Sequence, residues 1–200
     1  MGIVSMDEMR CRCHANSGFT MIEVLVTLVV IAIGLLGLAA LQTRVHQAEF
    51  EAYNRAQALV LLDAIVNRIN ANRATAPCYA ITSNGGTPYL GVPDAGHASA
   101  VTCSGYGDAN TQQLAVNDLN EWDRMAQGTT ELVGTTAVGA ALGARGCISF
   151  DPVTATYTVA VAWQGIAETS APLVSCGNNR YGTETRRRVV WATLKIATLL

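Results

Sequence analysis

Charge is what this 200-residue chain has least of: 13 Lys and Arg stand against 15 Asp and Glu, 14% of the residues, for a formal net charge of −2. An average soluble domain carries about 25% charged residues. A balance this close to neutral gives no bulk electrostatic case for nucleic acid or anionic lipid. Catalytic signatures are missing too. The sequence has no phosphate loop, no G-x-S-x-G and, past residue 18, no metal-ligand spacing, so common nucleotide, acyl-transfer and zinc chemistries have no footing. His46 and His97 stand without a sequence-visible partner, and the scattered carboxylates offer no assignable acid–base pair. Neither enzyme activity nor a cofactor nor a metal is expected. Helix breakers are absent from one long region, since neither Pro nor Gly occurs between Gln42 and Ala76.

What the chain does have is one long apolar run. From Phe19 to Leu41 there are 23 residues, and Glu23 is the only charged one. A helix rises 1.5 Å per residue, so ~20 residues cross a hydrocarbon core of roughly 30 Å. The run is long enough to span a bilayer with some tilt. Insertion scales put an acid at the centre of such a helix at roughly +2.5 to +3.5 kcal/mol, which makes an intramembrane Glu a functional residue by default. The plainer alternative is an interfacial Glu that snorkels to the headgroups.

Residues 1–18 are polar and lack the apolar core of a secretory signal peptide. Counted from Met1 they are neutral, with Asp7 and Glu8 against Arg10 and Arg12. A start at Met9 keeps both arginines and neither acid, which suits the positive-inside tendency better. The true start is therefore expected at Met9 or Met6. Cys11, Cys13 and His14 have neither zinc-finger nor haem-attachment spacing and read as incidental. The other four cysteines, Cys78, Cys103, Cys147 and Cys176, follow the span and read as two disulfides in an oxidising compartment. Three pairings are open; Cys78–Cys103 and Cys147–Cys176 are favoured as the most local closures.

Gly18 followed by Phe19, with Glu23 four residues further on, resembles the cleavage and assembly signature of type IV pilins. The string from Phe19 to Gln42 is similar to the PilV family of minor pilins. That resemblance implies an α+β type IV pilin fold: a long N-terminal helix, one half transmembrane and one half packed on a small antiparallel sheet. It implies that a prepilin peptidase cuts between Gly18 and Phe19 and that the new terminal Phe19 is N-methylated. Glu23 would then meet the terminal amine of a neighbouring subunit. The implied partners are the peptidase, other minor pilins, the major pilin and the inner membrane, with no small-molecule substrate. The head would face the periplasm, and later the pilus surface, in a protein that helps initiate or tip a pilus. Two departures stand out: the family leader is short and basic, and the family span often carries a proline that is absent here. Rival readings are a minor pseudopilin of a type II secretion system and a DNA-uptake pilin.

Beyond Leu41 the residues turn polar without a break signal, and good helix formers dominate. One helix of about 57 residues, ~85 Å long, is expected to end at Pro77, which disfavours helical geometry just before it. Leu62, Ile65, Val66 and Ile69 form an apolar stripe at helical spacing, and Glu51 and Arg55 an i,i+4 ion pair. Gly34 and Gly37 are three apart, which is not GxxxG; local melting and close helix packing both remain open. The expected organisation is a cleaved leader 1–18, an assembly helix half 19–41, an amphipathic half 42–76 and a head 77–200.

In the head, residues 77–110 are turn-rich, and a Cys78–Cys103 staple would suit so long a loop. Residues 111–127 read as a helix with Ala115, Leu119, Trp122 and Ala126 on one face. Asn110 is its expected cap, with Gln113 reaching back, and Gly128 its end. Trp122 reads as a core anchor, within a segment, 118–122, that also resembles minor pilin heads. Residues 134–146 are assigned no element. Strands are expected over 147–150, over 157–163 by alternation, and over about 186–196, giving three antiparallel strands on the helix. In the last, Val190, Ala192, Leu194 and Ile196 face the helix, with Trp191 and Lys195 on the reverse. The loop closed by Cys147 and Cys176 is the expected contact surface. Arg186, Arg187 and Arg188 are the one basic run, but alternate strand residues face opposite ways, so nucleic acid is disfavoured as a partner.

Overall fold

The computed structural model describes residues 18–129, 132–134, 136–137 and 139–196. Helix α1, Met21–Ala71, is followed by a 3-10 segment, Arg73–Tyr79. A two-residue strand β1, Leu90–Gly91, precedes helix α2, Ala109–Ala126. A minimal hairpin pairs β2, Leu132–Val133, with β3, Thr136–Ala137. Strands β4 (Arg145–Asp151), β5 (Thr156–Gln164) and β6 (Arg187–Leu194) complete the chain. The main sheet is antiparallel in the order β1-β4-β5-β6. A long apolar N-terminal helix with a small antiparallel sheet is the α+β arrangement of the type IV pilin fold. The chain divides into two compact units, Met1–Val45 and His46–Leu200, and the boundary lies inside α1.

The second unit is built on the stripe along α1. Ala58, Leu61, Leu62, Ile65 and Ile69 are buried, with Val66 half-buried beside them. Against them lie Ala115, Leu119, Trp122 and Ala126 of α2 and Ile148, Tyr157, Val159 and Val161 of the sheet. Trp122 is the centre of this core. Its indole N–H donates to the Leu61 carbonyl at 2.8 Å, and its ring lies over Gly146, where any Cβ would come within 2.3 Å of it. A glycine at the second position of β4 is here the close-approach case. Val190, Ala192, Leu194 and Ile196 pack on this core, and Trp191 is exposed on the opposite face.

Four sequence expectations need correction. α1 ends at Ala71, not at Pro77, which lies inside the 3-10 segment. The cause is Asn72, whose buried side chain donates to the Thr111 carbonyl (2.9 Å) and to the Tyr79 hydroxyl (3.3 Å). Tyr79 in turn donates to Asp118 at 2.5 Å, and Arg68 donates to Asp118 and Glu121. Burial, then the bond to Asp118, pushes the Tyr79 hydroxyl well above its ordinary pKa. The cap of α2 is Asp108, not Asn110. Its carboxylate accepts from Asn110 N–H (2.8 Å) and Thr111 N–H (2.9 Å), while Thr111, not Gln113, reaches back to the Asp108 N–H. The sheet has four strands rather than three, because β1 pairs with the start of β4. Residues 134–146 contain part of the β2–β3 hairpin and the first two residues of β4.

Candidate assembly site at the start of the long helix

Gly18, Phe19 and Thr20 precede α1 and are exposed. Thr20 opens the helix. Its carbonyl accepts from the N–H groups of Glu23 (3.1 Å) and Val24 (3.3 Å), and its hydroxyl accepts from Glu23 N–H at 3.3 Å. Thr at this position satisfies donors that have no partner within the helix. Glu23 thus falls in the first turn, where the partial positive charge of the helix N-terminus favours a carboxylate. Its own backbone N–H makes those bonds, so the carboxylate stands free of them. From Met21 to Leu41 every residue is exposed, and Met21, Ile22, Leu25, Val30, Ile33 and Leu36 exceed half of their possible exposure. Among the described residues α1 is the one helix long and apolar enough to cross a membrane. Thr27 and Thr43 return their hydroxyls to the carbonyls of Val24 and Ala39, so neither adds an unpaired hydroxyl to that surface. A Cβ at Gly34 or Gly37 would touch nothing.

The other sequence candidates lie elsewhere. The structure pairs Cys78 with Cys103 and Cys147 with Cys176, with Cα–Cα separations of 5.2 and 5.7 Å. Cys11, Cys13 and His14 lie outside the described residues. Among the described residues no group of His, Cys, Asp and Glu could hold a metal ion. The three arginines separate. Arg187 is buried, paired with Glu184 at 2.6 Å and donating to the carbonyls of Pro172, Val174 and Cys176. Arg188 donates to the carbonyls of Ala167 and Thr185 and meets Glu51 at 3.6 Å. Only Arg186 faces solvent, 3.7 Å from Glu168.

Two expectations change on this ground. Glu51 does not pair with Arg55; its carboxylate accepts from Ile166 N–H at 2.7 Å and sits beside Arg188. A backbone amide and a cation together outcompete one cation on the same helix. His97 is not an isolated surface residue. Its Nε2 lies 2.9 Å from Asp123 Oδ1, the oxygen that also accepts from Gly91 N–H. Sequence reasoning also missed Arg145. It is buried between the rings of Tyr89 and Tyr181, 5.4 and 4.7 Å from their centroids, and meets Asp94 at 2.7 Å. Burial opposes the charge on Asp94, yet the bond from Arg145 and the Gly96 N–H hold its pKa below the ordinary carboxylate value. Burial pushes the Tyr181 hydroxyl up to about 12. The signal for this cluster was faint: an Arg at the head of an apolar strand, with tyrosines far off in sequence.

Residues 13–39 match the family described as "Prokaryotic N-terminal methylation motif". No curated protein and no solved structure matches the chain. The family of that motif is structural rather than enzymatic. The motif implies processing by a prepilin peptidase and assembly with other pilins at a membrane. Together with the apolar helix it fits a single-pass anchor in the inner membrane. The chain carries this motif around Gly18, Phe19 and Glu23, and the match supports a type IV pilin-like protein.

Proposed function

We propose that this chain is a minor pilin of the PilV kind, which helps to initiate or tip a type IV pilus. The observation that carries the reading is that residues 21–41 of α1 are exposed on every side and apolar but for one carboxylate in the first turn. In this reading residues 1–18 are a leader removed by prepilin peptidase between Gly18 and Phe19, and Phe19 is then N-methylated. Residues 19–41 anchor the subunit until assembly, 42–76 carry the head, and 77–200 form it in the periplasm. The chain is the substrate of an enzyme and performs no catalysis.

Glu23 directs assembly. A carboxylate and an ammonium are each costly in lipid, but compensate when paired and hydrogen-bonded. The terminal amine of one subunit meeting Glu23 of the next lets the apolar helix leave lipid for a bundle in a fixed register. The dispersal of the three arginines supports assembly over DNA uptake, because Arg187 and Arg188 spend their donors inside the head. Mass spectrometry of the native protein tests the reading. The expected species begins at Phe19 and carries an added methyl group; an uncut precursor overturns it. Glu23→Val is expected to be cleaved normally and to be lost from pili. Deleting the gene separates a pilus from a secretion role, since pili should fail while type II secretion continues.

A further inference from the structure

Strand β6 forms one edge of the main sheet and pairs with β5 alone. Its register runs without a bulge, and it contains no proline. Which backbone groups face outward follows from one bond. Gly165 N–H donates to the Arg186 carbonyl at 2.8 Å, one rung beyond the Gln164–Arg187 pair. Bonded and unbonded rungs alternate in an antiparallel pair, so Arg188, Val190, Ala192 and Leu194 turn their main chain to β5. Val189, Trp191 and Thr193 turn theirs away, and among the described residues no partner meets those N–H and carbonyl groups. The side chains leave the edge open too. Trp191 is 56% exposed and Thr193 is exposed, while α1 stands off from Arg188, Val189 and Val190 across a space of about 430 Å³. Edge strands are usually guarded by a charge, a proline, a bulge or a covering segment. The opposite edge is guarded: β1 covers Arg145 and Gly146, and Thr82 bonds to the Ile148 carbonyl (2.8 Å) and N–H (3.0 Å). Past Arg188, β6 has no charge until Lys195, just beyond its end.

We propose that β6 accepts a fifth strand, an extended, proline-free segment of a different protein running antiparallel to it. Main-chain bonds to Val189, Trp191 and Thr193 supply the affinity. The exposed indole of Trp191 supplies an anchor of the kind that dominates interfaces. Lys195 is exposed and meets no carboxylate within ion-pair distance among the described residues. It stands at the C-terminal end of β6, so the complementary segment carries an acidic residue near its own N-terminal end. A second copy of this chain does not fit. Pairing β6 with itself about Trp191 sets Lys195 of each chain opposite Arg187 of the other, cation against cation. Head-to-tail pairing of copies needs a vacant edge on the far side of the sheet, and β1 and Thr82 close it.

The test uses the full-length chain in detergent micelles, with the end-blocked peptide Glu-Thr-Val-Thr-Val-Thr-Val as probe. The control peptide has the same sequence, N-methylated at every residue after the first, so that it keeps the side chains and loses the donors. Amide hydrogen exchange is read residue by residue by NMR. At saturation the probe is expected to slow exchange at Val189, Trp191 and Thr193 by roughly tenfold or more, as for groups taken into a sheet. Val190 and Ala192, already bonded to β5, should change little. Trp191→Ala should weaken binding about tenfold or more, and Lys195→Glu about two- to fivefold. Both positions are exposed, so the core is left alone. No slowing, equal slowing by the methylated control, or unchanged binding in Trp191→Ala overturns the proposal. Sedimentation of the chain without peptide decides between occupants. A monomer that binds the probe supports a strand from another protein; a dimer that Trp191→Ala dissolves assigns the edge to a second copy and overturns it.

Discussion

Helix α1 contains the same kinds of residue in two very different settings. Along 21–45 its isoleucines, leucines and valines are exposed all the way round, without a stripe. Along 46–71 one side is buried, and Leu61, Leu62, Ile65 and Ile69 vanish into the head core, while Leu59 and Val60 stay exposed. A helix apolar on every side belongs to lipid or to the centre of a bundle; a helix apolar on one side belongs to its own domain. One continuous helix thus answers to two solvents, and the change is made by where polar residues interrupt it rather than by any break in the backbone.

The sharpest way to break that comparison is to make one substitution in both settings. Ile65→Ala, at a site with 0% exposure, is expected to lower the stability of the head by about 2–5 kcal/mol. Ile31→Ala, at a site with 56% exposure, should leave head stability unchanged. Denaturant unfolding of the detergent-solubilised chain reads both, and an equal loss from the two would mean that the head leans on the span. Within the head, the arginine run offers the next contrast. Arg187→Ala strips partners from Glu184 and three carbonyls and should cost roughly 3–5 kcal/mol; Arg186→Ala, at the surface, should stay within about 0.5 kcal/mol. Thermal unfolding separates them.

A smaller effect is expected from pH. The Asp94 pKa is depressed in the folded head, so its pairing with Arg145 stabilises the fold above the ordinary carboxylate value near 3.8 and is lost as pH falls through the folded value. Asp94→Asn should therefore flatten the acid limb of the stability curve and leave its alkaline side alone. Smallest of all, Asp108→Ala should loosen only the first turn of α2, visible as faster amide exchange at Asn110 and Thr111 with little change in the unfolding midpoint. None of these head variants should alter the cleavage proposed after Gly18.

Much of this fold was legible because periodicity carries it. The 62–69 stripe, the face of α2 through Trp122, and the alternation of β5 each repeat a simple rule, and the cores they form follow from it. Where the sequence misled, a distant partner won over a local rule. Asn72 ends α1 by bonding to Thr111, ahead of the proline that local reasoning chose. Glu51 is taken by an amide more than a hundred residues away. β1 is too short to announce itself and exists because β4 is there to pair with it. The methylation motif was readable from the sequence alone, since Gly18, Phe19 and Glu23 are close neighbours in the chain and need no fold to bring them together.

The buried guanidinium of Arg187 has one consequence beyond stability. It reaches into the long connection before β6 from below and gathers the carbonyls of residues 172, 174 and 176, while Leu173 between them points wholly outward. A surface shaped through its main chain in this way can change its outward side chains and keep its contour. Such a connection can present a new face to each new neighbour without asking the domain beneath it to refold.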